Sequence, residues 1–137
     1  MKSVFADTFY WIALANTKDD AHPRVLDFSR TLGSSLIVTT DEVLTEFLAF
    51  CASDSQLRVE AVAAVREILG AANARVIPQT RVSFLAGLDL YGARPDKGYS
   101  LTDCISMQTM RRESISDVLT NDRHFQQEGF RALFRDA

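Results

Sequence analysis

Short apolar runs alternate with longer amphipathic stretches along this chain, and that alternation constrains its fold more than any other feature. Four runs, "SVFA", "SLIVTT", "ARVIP" and "SISDVLT", are typical of short buried strands, and "FRALF" is a possible fifth. The stretches between them carry apolar residues at helical spacing. Strands that alternate with helices predict an α/β protein, a three-layer α/β/α arrangement around a central parallel sheet of four to five strands.

The size and composition of the chain predict one domain over residues 1–137. Asp7 interrupts the apolar N-terminal stretch and no apolar run of membrane-spanning length follows, so we expect neither a signal peptide nor a membrane span. Cys51 and Cys104 are far apart and lack a C-x-x-C partner. This pattern argues against a disulfide framework or zinc knuckle and favours a reducing cytoplasm.

The charge of the chain limits how it could use nucleic acid. A formal net charge of -3 argues against a protein that coats nucleic acid by broad electrostatic attraction. It is compatible with a nuclease, because carboxylates gathered for metal ions add negative charge that the bound cations neutralise.

Four acidic residues stand where a parallel sheet gathers its ligands, beyond the carboxyl ends of its strands. Asp7 follows the first predicted strand and Asp122 follows the fourth. Glu46 lies about two turns into the helix after the second strand, and Asp103 lies in the first turn of the helix before the fourth. These four positions can converge on one site.

Helix capping is the alternative explanation for three of these acids. Asp7 and Asp122 can cap the helices that follow them, and Asp103 completes a Ser-x-x-Asp capping pattern with Ser100. Glu46 caps nothing. It lies in mid-helix beside an apolar face, so we expect it to be partly buried and to need a partner such as a cation.

The other chemical groups narrow the possible reactions. His22 and His124 have no partner at metal-ligand spacing, so we expect oxygen ligands, which favour Mg²⁺ or Mn²⁺ over zinc. The sequence has no G-x-S-x-G elbow and no P-loop, so water is the simplest nucleophile.

Two other functions remain open on the residues alone. A phosphatase could use Asp7 as a covalent nucleophile, although such sites commonly have a second acid two residues later, where this chain has Phe9. A non-catalytic scaffold that binds RNA or protein is the second alternative.

Four segments in order, "VFADT", "TTDEVLTEF", "DKGYSLTDCIS" and "VLTNDRHFQQEGF", resemble a known family. Together they are similar to a PIN domain, specifically a VapC-type toxin ribonuclease of a type II toxin-antitoxin system. The resemblance extends from Ser3 to Phe134. Many members of that family carry a small or polar residue where this chain has Phe9.

The resemblance implies a site, a reaction and partners. The implied catalytic residues and metal ligands are Asp7, Glu46, Asp103 and Asp122, with Thr8, Thr120 and Ser100 in support. The implied reaction is hydrolysis of RNA phosphodiester bonds by a water that Mg²⁺ or Mn²⁺ activates, leaving 5′-phosphate and 3′-hydroxyl ends. The implied partners are an RNA substrate, a cognate antitoxin protein and a second copy in a homodimer, with no membrane.

Several cations are candidates for binding substrate phosphates, although each also fits an ordinary solvated surface residue. They are Arg94, Lys97, Arg111, Arg112 and Arg123.

Overall fold

A five-stranded parallel sheet forms the centre of the protein in a computed structural model that describes residues 2–135. Along the chain the elements are β1 (Ser3–Ala6), α1 (Thr8–Ala15), α2 (His22–Ser29), β2 (Leu36–Thr40), α3 (Asp41–Phe50), α4 (Ser55–Gly70), β3 (Ala74–Ile77), α5 (Arg81–Ala93), α6 (Leu101–Arg112), β4 (Asp117–Leu119), α7 (Arg123–Gln127) and β5 (Arg131–Ala132). The strand order is β3-β2-β1-β4-β5. The predicted α/β class and parallel sheet are therefore confirmed. Of the predicted domain, Met1, Asp136 and Ala137 lie outside the described residues.

The last two strands are shorter than their apolar runs predict. The fourth run covers residues 114–120, but the chain leaves α6 through a turn in which Ser114 has φ 58 and the Ile115 N–H donates to the Met110 carbonyl oxygen at 2.8 Å. These residues complete the end of the helix instead of extending the strand. β5 has only two residues, Arg131 and Ala132, although the N–H groups of Leu133 and Phe134 still donate to the carbonyl oxygens of Val118 and Thr120.

The position of β1 in the middle of the sheet explains its sequence. It pairs with β2 on one side and β4 on the other, and helices cover the faces, so the Val4, Phe5 and Ala6 side chains are buried. Burying a side chain such as that of Phe5 contributes about 1.5–3 kcal/mol to stability. Ala6 lies opposite Leu119 of β4 in the register. The residues that follow these two therefore leave the sheet side by side.

The order of the strands creates a crevice at that point. The chain runs from β1 outward through β2 to β3, and then returns to place β4 on the other side of β1. Connections that diverge in this way leave an opening beyond the carboxyl ends of the two central strands, where α/β proteins bind ligands.

A close contact between α5 and α6 fixes the helix that precedes β4. A Cβ atom added at Gly87 would lie 2.4 Å from Cγ1 of Ile105, so only glycine allows α5 this near to α6. The α6 side chains Cys104, Met107 and Met110 are buried in the core. Within residues 2–135, no helix has the length and apolar character that would let it cross a membrane.

Candidate active site

An open cleft of about 480 Å³ lies beyond the carboxyl ends of β1 and β4. Its lining consists of Asp7, Thr8, Phe9, Glu46, Asp103, Thr120, Asn121, Asp122, Arg123 and Arg135. All four acids that the sequence singles out therefore face one cleft, from four separate parts of the chain.

Asp7 is the most deeply buried of the four acids, with 6% of the residue exposed. It occupies the N-cap position of α1 but makes no side-chain cap bond, so the capping explanation does not hold for it. Its Oδ2 atom instead accepts a hydrogen bond of 2.9 Å from Oγ1 of Thr120. Burial, together with the charge of Asp103, raises the pKa of Asp7 to about 7. A cation in the cleft would favour the ionised form.

Thr8 and Glu46 connect α1 to α3 across the cleft. Oγ1 of Thr8 donates to Oε1 of Glu46 at 2.5 Å. Glu46 is exposed, so the expected partial burial is wrong. The reason is its place on α3: Val43 and Phe47 face the core, whereas Glu46 points to the solvent side of the cleft.

Asp103 is held by the start of α6. The Ser100 hydroxyl accepts from the Asp103 N–H at 3.0 Å, and Oδ2 of Asp103 accepts from the Ser100 N–H at 3.1 Å, which is a complete capping box. Asp103 therefore caps the helix and also faces the cleft, whereas Ser100 stays outside the lining. Burial, together with the charge of Asp122, raises the pKa of Asp103 against the opposing hydrogen bond from Ser100.

Asp122 both caps α7 and lines the cleft. Its Oδ1 atom accepts from the His124 N–H at 2.9 Å, and its own N–H donates to the Thr120 hydroxyl at 3.1 Å. Since the same hydroxyl donates to Asp7, Thr120 ties the first and fourth acids together.

His124 lies outside the cleft lining but beside two of its acids, so the expectation that it has no partner at ligand spacing is wrong. Its Nδ1 atom lies 3.4 Å from Oδ2 of Asp103 and 3.4 Å from Oδ1 of Asp122. The fold brings Asp103 from the preceding helix, which spacing along the chain does not reveal. The sequence offered one sign of this contact: His124 comes two residues after Asp122, in the first turn of the short helix that Asp122 caps.

The donor groups fit a divalent ion. One donor atom from each of Asp103, Asp122 and His124 lies within 4.8 Å of the other two. Within the described residues, the buried Nδ1 atom of His124 makes no hydrogen bond of normal geometry, and its two contacts with the carboxylates are each 3.4 Å long. A cation beside two carboxylates and an unsatisfied imidazole nitrogen would satisfy all three. Asp7 and Glu46 line the same cleft but lie outside this group.

The cations predicted to bind phosphates fall into two sets. Arg123 lines the cleft, and so does Arg135, which the sequence argument missed and which donates to the Asn121 carbonyl oxygen at 3.2 Å. The others lie outside the lining and contact acids: Arg94 and Arg111 bind Glu128, Lys97 lies 3.7 Å from Asp96, and Arg112 lies 3.8 Å from Glu113.

Comparisons with known proteins agree on the fold. A family model described as PIN domain matches residues 4–130. VapC20 of Mycobacterium tuberculosis, a sarcin-ricin loop cleaving toxin, superposes with a TM-score of 0.84 at 24% identity, over 93% of this chain and 95% of that one. VapBC2 of Rickettsia felis, in a structure bound to a DNA fragment from their promoter, superposes with a TM-score of 0.66 at 14% identity. The match covers 95% of this chain and 96% of that one. A search of curated proteins gave no match.

Proposed function

The chain belongs to the PIN domain family, and from this membership and the geometry of the cleft we propose that it is a metal-dependent endoribonuclease, the VapC-type toxin of a toxin-antitoxin pair. One observation carries the proposal: four carboxylates from separate parts of the chain line a single cleft at the carboxyl edge of the sheet, namely Asp7, Glu46, Asp103 and Asp122. The fold shared with VapC20, a sarcin-ricin loop cleaving toxin, supports RNA as the substrate.

The proposed reaction is hydrolysis of an RNA phosphodiester bond that leaves 5′-phosphate and 3′-hydroxyl ends. Bound Mg²⁺ or Mn²⁺ would supply a water acidic enough to attack at neutral pH and positive charge beside the departing oxygen. Asp7 and Asp103 are the proposed direct ligands. Thr120 donates to one oxygen of Asp7 and so fixes this carboxylate in the lining of the cleft.

Glu46 and Asp122 have the more exposed positions and different proposed roles. Glu46 is fixed by the Thr8 hydroxyl and faces solvent, so it suits a ligand or a base that takes a proton from the attacking water. Asp122 is the proposed ligand on the side of α7, where it lies next to Asp103.

Substrate phosphates would meet the cations at the rim of the cleft. Arg123 and Arg135 are exposed and line it, so we assign the scissile and adjacent phosphates to them. Arg111, Arg112 and Lys97 stay as proposed contacts for more distant phosphates, since each already contacts an acid.

Exposed apolar surface supports the proposed protein partners. Helix α5 exposes large side chains that a second copy could cover in a homodimer, namely Val82, Phe84, Leu85, Leu88 and Tyr91. Tyr10 and Trp11 do not contribute, because both are buried in the core. A cognate antitoxin would keep the toxin inactive in the cytoplasm, where its RNA substrates lie.

The test is RNA cleavage by the purified protein with Mg²⁺, Mn²⁺ or EDTA. The RNA is a pool of structured molecules that includes a sarcin-ricin loop hairpin, and the cut ends are mapped. We expect metal-dependent cuts that leave 5′-phosphates and that Asp103→Asn abolishes. Asp96→Asn, which changes an exposed acid outside the cleft in the same way, should cut like the wild type. Equal cutting by both variants would mean a contaminant, and no cutting by folded wild type on any RNA would favour a binding scaffold.

A further inference from the structure

The imidazole of His124 points a nitrogen at the two carboxylates that the proposed function uses. Nδ1 lies at the same distance, 3.4 Å, from Asp103 and from Asp122. Both contacts are longer than a normal N–H···O hydrogen bond, which measures about 2.7–3.2 Å. Neighbouring ligands of one octahedral ion with bonds of about 2.0–2.1 Å lie about 3 Å apart. The two nitrogen–oxygen distances of 3.4 Å approach that spacing, and all three donor atoms lie within 4.8 Å of one another.

The ring of His124 is held in this orientation by its neighbours. Tyr99 packs against it with 5.3 Å between ring centroids, and the Tyr99 hydroxyl donates to Oε1 of Glu128 at 3.2 Å. Burial and the nearby charge of Glu128 raise the pKa of Tyr99 to about 12, so the hydroxyl keeps the proton that it donates. Gly98, with φ +72, turns the chain beside the other imidazole nitrogen.

Glu128 is itself firmly fixed. Its side chain is only 5% exposed and accepts hydrogen bonds from Nε of Arg94 at 2.8 Å and from Nη2 of Arg111 at 2.5 Å. A buried carboxylate with two guanidinium partners gives Tyr99 a rigid anchor. The fixed Tyr99 ring therefore limits how the imidazole can turn before any ligand arrives.

We propose that His124 binds the divalent ion of this site through Nδ1, beside Asp103 and Asp122, which makes it a mixed nitrogen and oxygen site. The inference rests on the proposed function and replaces the all-oxygen site that the sequence predicts. Imidazole is a good ligand for first-row transition ions, whereas Mg²⁺ prefers oxygen ligands. The site therefore selects Mn²⁺ over Mg²⁺, and His124 determines that selectivity.

Mn²⁺ alone, added to the full-length protein, is the probe. Pulsed electron paramagnetic resonance of bound Mn²⁺ should show the coupling of one imidazole nitrogen, and the coupling should change when histidine is labelled with ¹⁵N. The chain has two histidines, so His22→Gln is the control. His22 lies on α2 and its Nδ1 contacts the Ala13 carbonyl oxygen at 2.7 Å, away from the cleft. The coupling should persist in that variant and disappear in His124→Phe, which keeps a ring against Tyr99.

Affinities for the two ions separate a ligand from a residue that only positions the carboxylates. Loss of a nitrogen ligand in His124→Phe should weaken Mn²⁺ binding at least as much as the about 10- to 100-fold that loss of a ligand-orienting residue costs, and should weaken Mg²⁺ binding much less. Equal weakening for both ions, or bound Mn²⁺ without a nitrogen coupling in the labelled wild type, overturns the inference. The nitrogen coupling in the ¹⁵N-labelled wild type tests whether a histidine binds Mn²⁺ even if the His124→Phe variant does not fold. RNA cleavage that persists in that case leaves the proposed function intact, whereas folded protein that neither binds metal nor cuts RNA overturns both.

Discussion

Thr120 donates a hydrogen bond of 2.9 Å to Asp7, a residue at the other end of the chain, and both side chains are buried. The register of β1 with β4 produces this contact, because Ala6 and Leu119 are opposite each other and the next residues of both strands leave the sheet together. The same hydroxyl accepts a hydrogen bond from the Asp122 N–H. One buried side chain therefore positions two of the four acids.

Replacing Thr120 by valine should damage the site more than the fold. Thr120→Val keeps the side-chain volume but leaves Asp7 and the Asp122 N–H each without one partner. We expect a loss of about 1–3 kcal/mol in the free energy of unfolding, measured by urea denaturation. We also expect metal affinity and RNA cleavage to fall about 10- to 100-fold, as for other residues that orient metal ligands.

Thr120→Ser is the matched control, because it keeps the hydroxyl and removes only a methyl group. It should retain cleavage within a few-fold of the wild type. If the valine variant also keeps wild-type cleavage, Thr120 does not position Asp7 for the reaction.

The raised pKa of Asp7 predicts how stability depends on pH without metal. An aspartate in the unfolded chain releases its proton near pH 3.8, whereas burial and the charge of Asp103 raise the pKa of Asp7 to about 7 in the fold. Between these values the folded state holds a proton that the unfolded chain has lost, so rising pH favours unfolding. The contribution of Asp7 to the free energy of unfolding is fully present below about pH 4 and is lost by pH 7, a change of about 4 kcal/mol at most.

Urea denaturation in EDTA at several pH values measures how the free energy of unfolding changes with pH. In Asp7→Asn, the part of this change that comes from the titration of Asp7 should be absent. Added Mn²⁺ should stabilise the wild type increasingly as pH rises, because the ion binds the ionised carboxylate. A metal-free stability difference between wild type and Asp7→Asn that stays constant from pH 4 to pH 7 would contradict the assignment.

The sequence predicted most of the fold because strands and helices have different apolar periods, and in this chain the two signals alternate. Asp7 and Asp122 could be assigned to the same edge of the sheet for a related reason, since parallel strands present their carboxyl ends together. Helix caps could also be predicted, because they depend on residues close together in sequence. Ser100 and Asp103 form the predicted capping box. Each of these inferences depends on residues close together in sequence or on the common direction of the strands.

Features that depend on distant contacts were missed. His124 meets Asp103 only because α6 and α7 approach each other, and no spacing along the chain encodes that approach. Glu46 was expected to be partly buried because its neighbours are apolar, but successive residues of α3 point about 100° apart, which separates the core face from the cleft. Arg135 reaches the cleft from beyond the last strand, where the sequence carried no motif.

The arginines of the cleft should contribute more to RNA binding than Arg112, which lies outside the cleft lining and is proposed only for more distant phosphates. Arg123→Gln and Arg135→Gln should each weaken RNA binding and reduce the slope of log affinity against log salt by about 0.7–1, the contribution of one phosphate contact. Filter binding of RNA at several salt concentrations, with Asp103→Asn in all proteins to prevent cleavage, measures the slope.

Arg112→Gln removes the same charge from the end of α6, beside Glu113 and outside the cleft lining. An equal change in slope for all three variants would mean that RNA senses only net charge. A change confined to Arg112→Gln would place the RNA on a different face from the one we propose.

The contact between Gly87 and Ile105 predicts a mutation that acts on the site through packing alone. In Gly87→Ala the new methyl group would meet Ile105 at 2.4 Å, so α5 and α6 must separate. We expect overpacking to reduce the free energy of unfolding by about 1–3 kcal/mol. Gly92→Ala lies on the same helix with no atom within 4 Å, so it should be neutral or stabilise by about 0.4–1 kcal/mol. Because α6 carries Asp103, the first variant should also weaken Mn²⁺ binding; unchanged stability and unchanged metal affinity in Gly87→Ala would show that the two helices are not held by this contact.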